Sequence, residues 1–126
     1  MNILITYSSK TGNTEKLATG IYKNINEEHG LNVEIKPIAQ VKCTENYDAI
    51  LIGYWVDKGG PNEEAKKFME KIKNKKVGIF ATLGAYPDSN HGFNSLVRGE
   101  DLLKENNEII GKYICQGAVD PNLIEA

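Results

Sequence analysis

Residues 3–14 of the chain read ILITYSSKTGNT, and this stretch decides the fold. Its first half, residues 3–7, is an uninterrupted run of mainly β-branched and apolar residues, which is typical of a strand buried on both faces. Its second half changes to small polar residues around Gly12, and an amphipathic helical pattern begins at Asn13. A buried strand that leads through a tight polar loop into a helix is the opening unit of a parallel α/β sheet.

The rest of the chain repeats this alternation. Further strand patterns follow at 31–35, 47–53, 77–81 and 109–115, and further helical patterns begin at Pro61, in the first turn, and at Phe93. Right-handed crossovers between such strands leave few topologies. We therefore predict an α/β fold of three layers, with a five-stranded parallel sheet of order 2-1-3-4-5. The helix between the second and third strands should be missing or shortened.

The composition describes one globular domain over residues 1–126. Of these 126 residues, 40% are hydrophobic and 25% charged, enough for one core. Fifteen Lys and Arg against seventeen Asp and Glu leave a net charge of −2, and no segment forms the basic face that nucleic acid requires. No apolar run reaches the roughly 18 residues of a membrane span, and no signal peptide pattern precedes the first strand. We expect a cytoplasmic protein that binds neither nucleic acid nor membrane, and whose cysteines, Cys43 and Cys115, are reduced thiols without a metal.

The first loop has the composition of a phosphate site. It consists of Ser8, Ser9, Lys10, Thr11, Gly12, Asn13 and Thr14. Hydroxyl groups, a flexible glycine and the free N–H groups of a helix N-terminus together suit a dianionic phosphate. The alternative is that these residues only cap the helix, although a cap needs one of them. The loop lacks the GxxxxGK[ST] and GxGxxG patterns, and it has no clustered carboxylates for Mg²⁺.

Two further loops follow strands that end at the same edge of the predicted sheet. The second contains Tyr54, Trp55, Val56, Asp57, Lys58 and Gly59, and the third contains Thr82, Leu83, Gly84, Ala85 and Tyr86. An aromatic pair beside a phosphate site suits the face of a planar ring, although Trp55 alone could also cover the sheet edge. The third loop could equally be a plain polar connection. Together, the three loops predict a site for a flat heterocyclic mononucleotide.

This combination of loops resembles the flavodoxin family. Residues 7–16, YSSKTGNTEK, are similar to the family's phosphate loop, whose core is TGNT, and residues 53–59 and 81–85 resemble its two ring-contacting loops. The resemblance extends over roughly residues 1–120. Residues 53–59 and 114–117 also resemble a branch of short flavodoxin-like proteins from anaerobes, some of which are linked to bilirubin reduction.

The resemblance implies non-covalently bound FMN and transfer of one or two electrons to and from redox partner proteins. By position, Ser9 and residues 11–14 would hold the phosphate and Trp55 would stack on the isoalloxazine. Residues 56–60 would line the N5 edge of the ring, and residues 82–86 would meet its other side. Two other functions stay open: an FMN-dependent oxidoreductase that uses NAD(P)H, and a binding module that has lost the flavin.

The chain departs from the family pattern at two points. Flavodoxins are usually strongly acidic, whereas this chain is nearly neutral, so charge-steered docking of a partner is less favoured. The family ends in a fifth helix, whereas residues 120–126 only begin a helical pattern, so we expect the final helix to be missing or truncated. Apolar residues among 50–52 and 77–81 would then lack a cover, and we expect a second copy of the chain to cover them. The alternative is that long side chains and residues 117–126 fold back over them.

Overall fold

The computed structural model describes residues 2–9, 12–25, 31–57, 60–83 and 90–116. In chain order its elements are β1 (Asn2–Tyr7), α1 (Asn13–Ile25), β2 (Asn32–Pro37), a 3₁₀ turn (Ile38–Gln40), β3 (Ala49–Asp57), β4 (Gly60–Pro61), α2 (Glu63–Glu70), β5 (Lys76–Leu83), α3 (Asn90–Leu103) and β6 (Glu108–Gln116). The 3₁₀ turn lies where the sequence predicted a missing or shortened helix. Pro61, predicted in the first turn of the second helix, instead belongs to β4, and α2 begins two residues later.

The sheet order is β2-β1-β3-β5-β6, with the two-residue strand β4 paired only to the end of β3. Counted over the long strands, this is the predicted order 2-1-3-4-5. The long strands pair in parallel throughout, from the β1–β2 pair to the β5–β6 pair. The α/β fold and the strand order predicted from the sequence are therefore confirmed.

The side chains of the sheet enter two apolar cores of different size. The larger core lies on the side of α2 and α3 and includes Leu4, Ile50, Ile52, Tyr54, Met69, Val77, Ile79, Ala81 and Leu103. The smaller core lies on the side of α1 and consists of Ile5, Leu17, Ala18 and Phe80, with partly buried residues around them. Leu4 and Ile5 are neighbours in β1 and enter different cores, because successive side chains of a strand point to opposite faces. The helices on the two sides of the sheet make the three layers that the sequence predicted.

Among the described residues, the exposed large apolar side chains lie on β6, and not on β3 and β5 as the sequence predicted. Residues 50, 52, 77, 79 and 81 are buried in the larger core. On the α1 side, Phe80 is only 3% exposed, Leu51 is partly buried and Gly78 has no side chain. Among the described residues, the exposed large hydrophobic side chains are Ile110 (51%) and Tyr113 (50%), both on β6. Cover by a second copy stays a prediction, and the exposed apolar residues that such a copy would cover are those of β6.

Strands β3 and β5 approach each other closely where Gly53 pairs with Phe80. A Cβ atom on Gly53 would lie 2.2 Å from the Phe80 ring, so only glycine leaves room for that ring. The backbone oxygen of Gly53 also accepts a hydrogen bond from the N–H of Ser8, at 3.0 Å. Gly53 therefore joins the packing of the smaller core to the loop after β1. None of the helices in the described ranges combines the length and apolarity needed to cross a membrane.

Candidate functional site

The candidate site lies at the carboxyl edge of the sheet, where β1, β3 and β5 end. Strand β1 lies between β2 and β3, so the chain connections on either side of it run in opposite directions. In open parallel sheets, ligands bind in the crevice outside the strand ends at such a point. The described residues that meet around it include Ser8, Ser9, Gly12, Thr14, Trp55, Asn62 and Thr82.

The loop after β1 turns sharply into α1 at Gly12. Gly12 has a φ of +91°, a left-handed conformation that side chains other than hydrogen rarely tolerate. Its N–H donates to Ser9 Oγ at 3.0 Å, and its carbonyl accepts the N–H of Lys16 at 3.0 Å, the first hydrogen bond of the helix. Apart from its chain neighbours, no atom of the described residues lies within 4 Å of the place where a Cβ on Gly12 would stand, so these residues leave space beside the start of α1. The first N–H groups of any helix lack partners within it, and this arrangement suits an anion.

Two buried hydroxyl groups connect this loop to the end of β5. Thr14, in the first turn of α1, is 1% exposed, and Thr82, near the end of β5, is 4% exposed. Their Oγ1 atoms are 2.8 Å apart, a hydrogen bond in which either atom could donate. The sequence predicted Thr82 to be a ring contact, whereas in the structure its hydroxyl bonds to Thr14 in the first turn of α1.

Ser8 holds the same loop against β3 and α2. Its Oγ donates to Glu64 Oε1 at 2.6 Å and accepts from Asn62 Nδ2 at 2.7 Å. Since the N–H of Ser8 donates to Gly53, both protons that this residue can donate are already used. Ser8 is 4% exposed, so the described contacts give it an anchoring position behind the open part of the loop.

Asn62 is a residue that sequence reasoning missed. It is 3% exposed and is the N-cap residue of α2, yet its side chain makes no capping hydrogen bond. Instead Asn62 Oδ1 accepts the N–H of Trp55 at 3.2 Å, while the N–H of Asn62 donates to the carbonyl of Trp55 at 3.1 Å. With the bond to Ser8, Asn62 joins the loop after β1 to the loop after β3. The available signal was an Asn directly before two Glu residues and an apolar stripe, which is typical of a helix N-cap.

The aromatic pair predicted from the sequence is split by the sheet. Tyr54 is fully buried in the larger core, and this burial raises the pKa of its hydroxyl. Trp55 is partly exposed, and as the next residue in β3 it lies on the opposite face. The interpretation of Tyr54 as part of a ring platform is therefore wrong for its side chain, while Trp55 keeps an accessible position at the edge.

The remaining predicted site residues are only partly covered by the structure. Lys10, Thr11, Lys58, Gly59, Gly84, Ala85 and Tyr86 lie outside the described residues. Asn13 is the first residue of α1, and Val56 and Asp57 end β3, where they pair with Pro61 and Gly60. Leu83 is the last residue of β5. The roles predicted for all these residues stay predictions.

A parallel sheet of order 2-1-3-4-5 with a glycine turn into α1 at its reversal point is the arrangement of the flavodoxin-like fold. The family model of the flavodoxin domain matches residues 4–126, and the chain belongs to that family. It is 39% identical over 123 residues to the flavodoxin-like domain-containing protein BilS of Clostridioides difficile (strain CD3), covering 98% of this chain and 70% of that protein.

Solved structures show the same fold. The two-electron reduced flavodoxin of Megasphaera elsdenii has a TM-score of 0.71 and 26% identity, over 95% of this chain and 89% of that chain. A flavoprotein in complex with FMN from Lactobacillus acidophilus NCFM has a TM-score of 0.71 and 22% identity, over 90% of this chain and 92% of that chain. At that identity, the second likeness supports the fold alone.

Proposed function

We propose that the protein binds FMN without a covalent bond and carries electrons between redox partner proteins. The observation that carries this proposal is the turn at Gly12, beside which the described residues leave space at the start of α1, at the same edge of the sheet as Trp55. Membership of the flavodoxin family supports a flavin ligand, and the donor groups at the start of α1 favour a flavin with a terminal phosphate.

The described residues fit a ligand with a terminal phosphate. Ser9 is exposed, and its Oγ accepts from Gly12, so its own proton remains available for a ligand oxygen. Thr14 adds a buried hydroxyl in the first turn of α1. A phosphate has only acceptor oxygens in its dianionic form, so a loop of donors beside a helix N-terminus matches it.

The ring end of the proposed site depends on Trp55. Its backbone N–H and carbonyl are both bonded to Asn62, so the chain is fixed at this residue. We propose that Trp55 stacks on the isoalloxazine and shields it from water. When bound, FMN supplies the one- and two-electron chemistry that amino-acid side chains lack, while the protein binds, orients and shields it.

A flavin titration tests this proposal. Purified protein should be yellow, and flavin-free protein should bind FMN at least about 100-fold more tightly than riboflavin, which lacks the charge-assisted phosphate bonds. Quenching of flavin fluorescence measures both affinities. Equal affinities would contradict the phosphate site, and a colourless protein that binds neither flavin would be a binding module instead.

Mixing the FMN-loaded protein with NAD(P)H separates an electron carrier from an oxidoreductase. A carrier without a nicotinamide site should keep its flavin absorbance over many minutes, although a chemical reductant bleaches it at once. Rapid and saturable bleaching by NADH or NADPH would contradict the carrier function and support the oxidoreductase.

A further inference from the structure

The hydrogen bond between Thr14 and Thr82 has a direction that a bound phosphate would determine. Each hydroxyl has one proton, so only one of the two threonines can donate in the 2.8 Å bond. Both side chains are at least 96% buried, at 1% and 4% exposure, so water offers few alternative partners. The orientation of one hydroxyl therefore depends on the other.

A phosphate oxygen can only accept a hydrogen bond from Thr14. If the Thr14 proton is used for the phosphate, the Thr14–Thr82 bond must take its proton from Thr82. A hydroxyl that accepts one hydrogen bond becomes a better donor in the next, since the bonds of a chain polarise one another. A chain from Thr82 through Thr14 to the ligand is thus the only arrangement that satisfies all three groups.

We infer that Thr82 is a positioning residue for the phosphate, acting through the hydroxyl of Thr14. This inference rests on the proposed function and deepens it. It assigns Thr82, at the end of β5, to the phosphate end of the site and not to the ring end. The end of β5 then contributes to the recognition of the phosphate group without touching it.

The first test is the variant Thr82→Val, which replaces the hydroxyl by a methyl group of similar size. Loss of one hydrogen bond in a chain to a charged group should weaken FMN binding by about 5- to 10-fold. The affinity for riboflavin should change by less than about twofold, because riboflavin has no phosphate. Thr82→Ser should restore FMN affinity, since serine keeps the hydroxyl.

Thr6 offers a matched control for the same substitution. It lies near the end of the neighbouring strand β1, is fully buried, and its Oγ1 has no hydrogen-bond partner among the described residues. Thr6→Val therefore removes a buried hydroxyl at the same edge of the sheet without cutting this chain. Its affinities for FMN and riboflavin should equal those of the wild type.

A double-mutant cycle tests whether Thr82 acts through Thr14. Thr14→Val should itself weaken FMN binding, and Thr82→Val added to it should cost less than about twofold more, because no Thr14 hydroxyl remains to be oriented. Additive losses would mean that Thr82 acts independently of Thr14, and this would overturn the inference. Thr82→Ala serves in the cycle if the valine variant does not fold.

The outcomes separate this inference from the proposed function. If wild-type protein binds FMN and discriminates against riboflavin, but Thr82→Val weakens both flavins equally, Thr82 contacts the ring and only the inference fails. If Thr82→Val changes neither affinity, the inference fails in the same way. If wild-type protein does not bind FMN, the proposed function and the inference fail together.

Discussion

The two ends of the sheet use their polar side chains differently. At the amino end, side chains bond largely to the backbone, apart from pairs such as Asn32 with Asn2. Asn107 Nδ2 donates to the carbonyls of Ile72 and Leu103, and Asn107 Oδ1 accepts the N–H of Lys75. Lys75 Nζ in turn donates to the carbonyl of Tyr47 at 2.6 Å. At the carboxyl end, side chains bond largely to each other: Ser8 with Glu64, Asn62 with Ser8, and Thr14 with Thr82.

We interpret this difference as one between an end of the sheet that only stabilises the fold, the amino end, and an end that also holds the proposed site, the carboxyl end. Backbone groups must be paired wherever they are buried, so side chains that pair with them stabilise the fold directly. Bonds between two side chains make up only about 10–15% of the hydrogen bonds in proteins, and the backbone does not require them. Among the described residues such bonds are more frequent at the carboxyl end, where the proposed site lies.

The largest expected effect concerns the amino end. Asn107→Ala removes three hydrogen bonds, from the Ile72 carbonyl, the Leu103 carbonyl and the N–H of Lys75, although the Leu103 carbonyl keeps the N–H of Asn106. We expect the free energy of unfolding to fall by about 2–3 kcal/mol, measured by chemical denaturation, because the site is partly buried. The folded variant should bind FMN as the wild type does. A clear loss of FMN affinity would break the distinction between the two ends.

Asn62→Ala is the matched change at the carboxyl end. It removes the bonds from Asn62 to Ser8 and to the N–H of Trp55, while the backbone bond to the Trp55 carbonyl remains. We expect the free energy of unfolding to fall by about 1–2 kcal/mol. Unlike Asn107→Ala, this variant should also weaken FMN binding, by about tenfold, because Asn62 no longer holds Ser8 and Trp55 in fixed positions relative to each other. Intrinsic fluorescence of Trp55, the only Trp of the chain, should change in flavin-free protein. Unchanged fluorescence and affinity would make Asn62 purely structural.

The smallest expected effect sharpens the comparison within the carboxyl end. Thr6 is fully buried there, and its hydroxyl has no hydrogen-bond partner in the part of the chain that the structure describes. Burial of a hydroxyl without a hydrogen bond is unfavourable, so Thr6→Val should raise the free energy of unfolding by up to about 1 kcal/mol. Thermal unfolding of the flavin-free protein measures it. A loss of stability would show that Thr6 has a partner in solution and belongs to the polar network.

The sequence was sufficient for the fold because its strand patterns are unambiguous. The continuous apolar runs of β1, β3 and β5 predicted a buried parallel sheet, and the strand ends then located the loops of the site. The alternation of side chains along β3 also predicts that Tyr54 and Trp55 point to opposite faces of the sheet, so the two rings cannot form one platform. Pairs such as Thr14 with Thr82, 68 residues apart, depend on strand register and on side-chain direction, which periodicity alone does not provide.

The close pairing of Gly53 with Phe80 also has an evolutionary consequence. Since the Phe80 ring fills the space that a side chain at position 53 would need, a larger residue at 53 requires the ring to move or a smaller residue at 80. A shift of β3 that relieved this overlap would also disturb the hydrogen bond that the Gly53 carbonyl accepts from the N–H of Ser8. Related chains that carry a side chain at position 53 should therefore have a smaller residue at position 80.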